Sequence, residues 1–216
     1  MKKKINIIFL LDRKNDWIKK YLIKNFNKKN KKYNFKIEYN YKKIKRQNIV
    51  FILNYTKILP KSFLIKNNLS LVVHASDLPK GKGFAPIQWQ ILENKNKISI
   101  CLIEADEKFD SGAIIEKNNF YLNGDELGTE IRNIQATETI KIILKFLRKY
   151  PKFNRTVQSG KSTFYKRRFP KDSKLDINKS LKKNFNLLRV ADNDKYPAYF
   201  EYKRKRYVIK IFKTSK

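Results

Sequence analysis

The sequence predicts an α/β domain with a Rossmann-like, mostly parallel sheet and flanking helices, followed by a small C-terminal β-hairpin appendage. Three observations carry this expectation. Short apolar runs rich in β-branched residues recur near 4–11, 48–53, 69–73 and 97–104. Segments with helical spacing of apolar residues separate them, as in a parallel sheet with crossover helices. After residue 151 the pattern breaks into polar, punctuated sequence that ends in two short alternating runs.

The elements follow in order. KINIIFLL at 4–11 reads as a fully buried first strand. Asp16 to about Asn30 reads as a helix, with Trp17, Tyr21, Leu22 and Phe26 as its apolar stripe. Phe35–Tyr39 and Asn48–Leu53 read as strands, and Pro60 opens a short helix or turn. Leu69–Val73 forms a strand that runs straight into His74. The loop 75–86, ASDLPKGKGFAP, is shaped by glycine and proline. Ile87–Leu92 reads as a short helix and Lys97–Glu104 as a strand. The loop 105–112 leads into a further strand at Ala113–Tyr121. Asp125 is the expected N-cap of a long helix that ends near Tyr150, before Pro151. A linker is expected at 151–160, then a short helix at Asn178–Leu188. A hairpin follows, pairing Ala198–Tyr202 with Tyr207–Phe212, with KRKR at 203–206 in its turn. This divides the chain into a main domain at 1–150 and a linker with a small α+β appendage at 151–216.

Composition narrows the function classes. The 51 Lys and Arg against 19 Asp and Glu give a net charge of +32. Nucleic-acid binding is the first reading of such a chain. The excess is mostly Lys, and it accompanies abundant Asn and Ile, which points to AT-rich codons rather than to a designed polyanion site. Lys also lacks the planar fork that makes Arg effective on phosphates and bases. A smaller anionic ligand accounts for the charge equally well. No run approaches the ~18 apolar residues of a membrane span, and MKKKINIIFL lacks a small-residue cleavage site, so a cytoplasmic protein is expected. The single cysteine, Cys101, lies in the apolar run ISICLI, which excludes a disulfide framework and favours a buried thiol. Glu104, Asp106 and Glu107 have no nearby His or second Cys, so no metal site is expected. Gly81 and Gly83 lack the spacing of a dinucleotide-binding loop. Trp17 and Trp89 read as packing residues, and KRKR as a solvated turn.

One stretch is more specific than the rest. It comprises VVHASDLPKGKGFAPIQWQIL at 72–92 and LIEADEKFDSGAII at 102–115, with NYTKILP at 54–60 upstream. The pattern His74, Ser76, Leu78, Pro79, Gly83, Pro86, then Asp110 and Gly112, strongly resembles the core of the folate-dependent formyltransferases. That family includes methionyl-tRNA, glycinamide ribonucleotide and nucleotide-sugar members. The resemblance covers roughly residues 5–120 at fold level and implies a formyltransferase catalytic domain at 1–150, 10-formyltetrahydrofolate as formyl donor, and a primary amine as acceptor. An amine attacking a formyl carbon builds negative charge on oxygen and positive charge on nitrogen. A His can stabilise the first, and a carboxylate can orient that His and take the amine's proton. His74 and Asp110 match the family's catalytic pair. Leu78, Phe84, Ile103, Glu104, Ala105 and Asp106 match its folate site, where backbone groups of the last four read the pterin edge.

The tail, STFYKRRFPKDSKLDINKS at 162–180 and RVADNDKYPAYFEYKRKRYVIKI at 189–211, resembles the nucleotide-amino-sugar branch, notably UDP-4-amino-4-deoxyarabinose formyltransferases. Tyr55, Lys82, Arg167 and Arg168 are the expected acceptor-binding residues. The expected role is N-formylation of a nucleotide-linked amino sugar in surface polysaccharide synthesis. A methionyl-tRNA formyltransferase-like enzyme, with tRNA as partner, is the alternative, and the resemblance raises a homodimer as the assembly. The chain departs from the family at Val72, where the family carries Asn. Losing one such donor typically costs about 2.7–4 kcal/mol of transition-state stabilisation. Ser70 shares the face but lies four positions from His74, about 13 Å along an extended strand. A catalytically weakened folate- or carbohydrate-binding homologue is therefore a third expectation.

Overall fold

The computed structural model describes residues 4–26 and 32–214. Its centre is a six-stranded sheet. β1 (Ile5–Leu11), β2 (Tyr33–Glu38), β3 (Ile49–Leu53), β4 (Leu69–His74), β6 (Lys97–Glu104) and β7 (Ile114–Tyr121) lie in the order β2-β1-β3-β4-β6-β7. The first four are parallel, whereas β6 and β7 run antiparallel to their neighbours. The expected mostly parallel sheet is present, with an antiparallel edge. β4 therefore sits inside the sheet, and its carboxyl end delivers His74.

Strict alternation sends side chains to two faces. Ile7, Phe9 and Leu11 of β1 and Ile49, Phe51 and Leu53 of β3 enter the larger core beneath α1 (Lys19–Asn25), α3 (Pro86–Leu92) and α4 (Gly128–Lys149). Phe9 stacks on Phe51 with ring centroids 5.6 Å apart, and both are fully buried. Burying each such ring stabilises the fold by about 1.5–3 kcal/mol. Ile8, Leu10, Val50 and Ile52 face the other way, against Phe63 of α2 (Lys61–Lys66). Val72 joins this second face.

Several expected boundaries shift. The first helix begins at Lys19 rather than Asp16, because Asp12 caps a separate 3-10 turn at Arg13–Asn15. Its expected end at Asn30 lies outside the described residues. Asp125 does not cap α4. The helix starts at Gly128, where the carboxylate of Glu130 accepts from the Leu127 backbone N–H at 2.8 Å. Asp125 instead pairs with Lys213 at 3.0 Å.

β9 (Ala198–Tyr202) pairs with β10 (Lys205–Ile209), so the second hairpin strand starts two residues before the expected Tyr207. The turn is only Lys203-Arg204, both left-handed at φ 46° and 62°. That two-residue geometry matches the twist of paired strands, so Lys205 and Arg206 join the ladder.

The segment after residue 151 packs against elements that precede it. Thr156 bridges to Ile114, and β8 (Phe164–Tyr165) pairs with β5 (Lys82–Gly83) in the glycine loop. α5 (Leu181–Val190), capped by Ser180, brings Arg189 onto Glu126 at 2.7 Å. The stretch read as a linker at 151–160 thus holds fixed contacts.

Glu116 of β7 is 6% exposed and bonds Lys145 at 2.9 Å and also Lys149, both on α4. Burial alone would raise its carboxyl. The hydrogen bonds and charges of the two lysines outweigh that and hold it below the usual glutamate range. A depressed folded-state value adds stability that is present above the unfolded value of 4.5 and lost as pH falls through the folded one. Glu116→Gln is expected to flatten the decline in urea midpoint below about pH 4.5. A variant whose midpoints run parallel to wild type from pH 3 to 6 would contradict this account.

Candidate active site

A cleft of about 240 Å³ opens beyond the carboxyl ends of β3 and β4, where open α/β sheets bind ligands. Tyr55, Val72, His74, Phe84, Ile103 and Asp110 contribute to its walls. A larger hollow of about 700 Å³ lies between the start of α4 and residues 211–214. Its charged groups are already paired, Arg132 with Asp192 and Lys213 with Glu130, and we place the chemistry in the smaller cleft.

His74 is 8% exposed and lies between two acceptors. Its Nε2 is 2.8 Å from the carbonyl oxygen of Gly81. A carbonyl can only accept, so Nε2 carries hydrogen and donates. Nδ1 is then the working nitrogen, and it faces Oδ1 of Asp110 at 3.5 Å. That separation is too long for a firm hydrogen bond. Contacts of this kind tighten when substrate is bound. The other carboxylate oxygen of Asp110 accepts from the Gly83 backbone N–H at 2.8 Å. The backbone thus fixes both side chains while leaving one nitrogen and one carboxylate oxygen face to face.

The Asp110 loop is held unusually closely. Asp110 itself is left-handed at φ 51°. A Cβ on Gly112 would lie 1.9 Å from the Glu104 carbonyl oxygen, so only glycine fits there. The side-chain amide of Gln158 donates to the carbonyls of Asp110 and Gly112, each at 2.8 Å. Gln158 is thus a positioning residue that sequence reading missed, since nothing in the polar stretch 151–177 marked it. The glycine loop is held from the same side, because Gly83 approaches Tyr165 so closely that a Cβ would meet its carbonyl at 2.5 Å. Gly112→Ala must displace the loop that carries Asp110. A shift near 1 Å costs turnover about 100-fold, so kcat for a reaction that uses Asp110 is expected to fall by about that factor. An unchanged kcat would show that this close approach is not needed.

Of the expected folate residues, Phe84, Ile103, Glu104, Ala105 and Asp106 line the cleft with the pair. Leu78 does not line it. It is buried behind the cleft against Cys101 and Ile103, with Val72 and Ile114 beside them. Cys101 is the buried thiol expected; burial pushes it up to about 11, and it donates to the Ser76 carbonyl.

Of the expected acceptor residues, Tyr55 lines the cleft, and burial, then the charge of Asp12, pushes its phenol up. Lys82 is buried outside the cleft, with Nζ donating to Ser111 at 3.3 Å. Arg167 does not line the cleft either; its guanidinium lies over the ring of Phe84, which does, at 4.5 Å. Arg168 turns away. Its guanidinium donates to the carbonyls of Asp172 and Val190 and lies over Trp89, so the two arginines do not form one grip. Ser70 donates to the Leu64 carbonyl, which removes it as a substitute for the missing amide. Among the described residues, no group of three or more His, Cys, Asp and Glu is arranged to hold a metal.

The formyl transferase family matches residues 5–145, well over half of the 216 residues and the whole of this cleft apart from the Gln158 brace. The chain belongs to this family. Among formyl transferase relatives, a methionyl-tRNA formyltransferase of Thermodesulfovibrio yellowstonii is 31% identical over 162 residues, 72% of this chain and 51% of that protein. The chain spans about half the length of the curated relatives it matches. A solved methionyl-tRNA formyltransferase of Clostridium thermocellum superposes with a TM-score of 0.82 at 25% identity, covering 98% of this chain and 94% of the other. A sugar N-formyltransferase of a Shewanella species shares the formyl transferase fold, with a TM-score of 0.73 at 14% identity over 96% and 97% of the two chains. No helix among the described residues is long and apolar enough to cross a membrane.

Proposed function

We propose that this protein transfers a formyl group from 10-formyltetrahydrofolate to a primary amine, with His74 and Asp110 as catalytic residues. The observation that carries this is the facing of His74 Nδ1 and Asp110 Oδ1 inside a cleft at the end of β4. The cleft fits a reduced pterin. Ile52, Leu64, Val72 and Phe84 offer apolar walls, the peptide groups of 103–106 lie at its rim, and a buried amide of Asn54 is left without a partner. When bound, the donor supplies an electrophilic formyl carbon and a tetrahydrofolate leaving group. Asp110 accepts the proton that the amine loses as its nitrogen bonds to that carbon. His74, protonated at Nδ1, stabilises the negative charge on the formyl oxygen and hands a proton to the departing folate nitrogen, and the proton held by Asp110 then passes to Nδ1 and restores the pair. The bond formed is amine nitrogen to formyl carbon, the bond broken is folate nitrogen to formyl carbon, and one proton moves between the two nitrogens.

For the acceptor, we infer a nucleotide-linked amino sugar. The resemblance of 162–180 and 189–211 to the sugar branch supports it, as does the Arg167 guanidinium packed on Phe84, a wall of the cleft. A second reading, methionyl-tRNA, is favoured by the relatives near 30% identity and by the net charge of +32. Purified protein incubated with 10-formyltetrahydrofolate and either amino-sugar nucleotides or methionyl-tRNA separates them. A formylated sugar absent in His74→Ala supports the first. Product only on the charged tRNA overturns it in favour of the second.

A further inference from the structure

Val72 leaves the cleft face of β4 without the amide that the formyltransferases carry there, yet one amide nearby has no partner. Nδ2 of Asn54 is buried and bonded to nothing, although Asn54 lines the same cleft as Val72, His74 and Asp110. A buried donor left unpaired works against stability, so its retention calls for a partner that arrives with the ligand.

The fold puts this amide beside the reacting groups. β3 and β4 are parallel neighbours, paired from Ile49 with Leu69 to Ile52 with Val72. Beyond that pairing β3 ends at Leu53 and β4 at His74, so Asn54 and His74 both stand at the carboxyl edge of neighbouring strands. Asn54 follows directly on the end of β3, and it lines the cleft together with Val72 and His74. Asn54 is left-handed at φ 53°, which explains a small or polar residue there but not an amide. Gly or Asp would meet that backbone demand equally. The competing donors are less suited. Asn15 directs its amide to the Asn54 carbonyl at 3.5 Å, and Gln135, which also lines the cleft, enters it from α4 and has no buried unpaired donor.

We propose that Asn54 is the amide donor of this active site. Its Nδ2 hydrogen-bonds the formyl oxygen as negative charge builds there, in place of the donor that Val72 lacks. The proposal rests on the formyl-transfer reading above and adds a catalytic residue to it from the neighbouring strand.

The test compares wild type, Asn54→Gly, Asn54→Asp and the double variant Asn54→Gly with Val72→Asn. Glycine keeps the left-handed backbone and aspartate keeps the shape, so loss of the donor is separated from misfolding. Binding of 10-formylfolate, a non-transferring analogue, is measured against unformylated folate. Wild type is expected to prefer the formylated ligand, and both single variants to lose about two- to tenfold of that preference with folate affinity unchanged. Turnover kcat should fall about 10²–10³-fold at constant KM for the donor. Val72→Asn should restore at least about tenfold of it in the Asn54→Gly background. Unchanged ligand preference and unchanged kcat in both single variants would overturn Asn54 as donor while leaving formyl transfer standing. A wild-type protein that binds neither folate and formylates no amine would overturn both.

Discussion

Asp110→Asn is expected to lower kcat for formyl transfer about 10²–10⁴-fold, the range over which a positioned general base acts. The substitution keeps the acceptor that receives the Gly83 N–H at 2.8 Å, so the loop should stay in place. It removes the carboxylate that faces His74 Nδ1 at 3.5 Å, and an amide cannot take the amine's proton. His74→Ala should cost a similar factor, and the double variant little more than either alone, because the two groups act as a unit. The KM for the folate donor should change little, since the apolar side chains and the peptide groups of 103–106 offered to the pterin are untouched. Steady-state kinetics on the three variants, with circular dichroism to confirm folding, checks this. Additive losses in the double variant would show two independent roles instead of one pair.

The second large effect concerns stability. Arg189 is 1% exposed and meets Glu126, 7% exposed, at 2.7 Å. Its Nε also donates to the Glu126 carbonyl at 3.0 Å. Glu126 in turn accepts from the backbone N–H of Gly124 at 3.1 Å. Removing one partner strands a buried charge, and Arg189→Met is expected to cost about 3–5 kcal/mol. Replacing both, Arg189→Met with Glu126→Leu, should recover much of that, since a well-packed apolar pair is often as stable as a buried ion pair. Urea denaturation of the three proteins measures it. Because α5 belongs to the same segment as β8, which is paired with the glycine loop, the single variant should also lose activity as temperature rises before it unfolds globally. A loss below about 1 kcal/mol would mean that water reaches the pair.

The sheet was legible because its strands are short, apolar and β-branched, and because buried strands leave little freedom in register. His74 and Asp110 were legible through the motif around them; a lone His or a lone Asp before Ser-Gly says little. The second level of the site was not. Gln158 holds the Asp110 loop from 48 residues away, and Tyr165 closes on Gly83 from the same polar stretch. Such contacts have no period and no composition; they exist only once the chain folds back. Arg168 shows the converse. Its place beside Arg167 suggested a shared grip on phosphate, but tertiary packing turns its guanidinium onto backbone carbonyls. The cap of α4 failed for a local reason, because Glu130 satisfies the first turn and leaves Asp125 free to pair with Lys213.

The measurement that bears most directly on the whole account follows tetrahydrofolate release and formylated amine together in a single turnover of 10-formyltetrahydrofolate, for wild type, His74→Ala and Asp110→Asn. The account predicts equal amounts of the two products from wild type and a loss of both in each variant. Tetrahydrofolate formed at the wild-type rate by either variant, or no transfer to any amine by the wild-type protein, would contradict it.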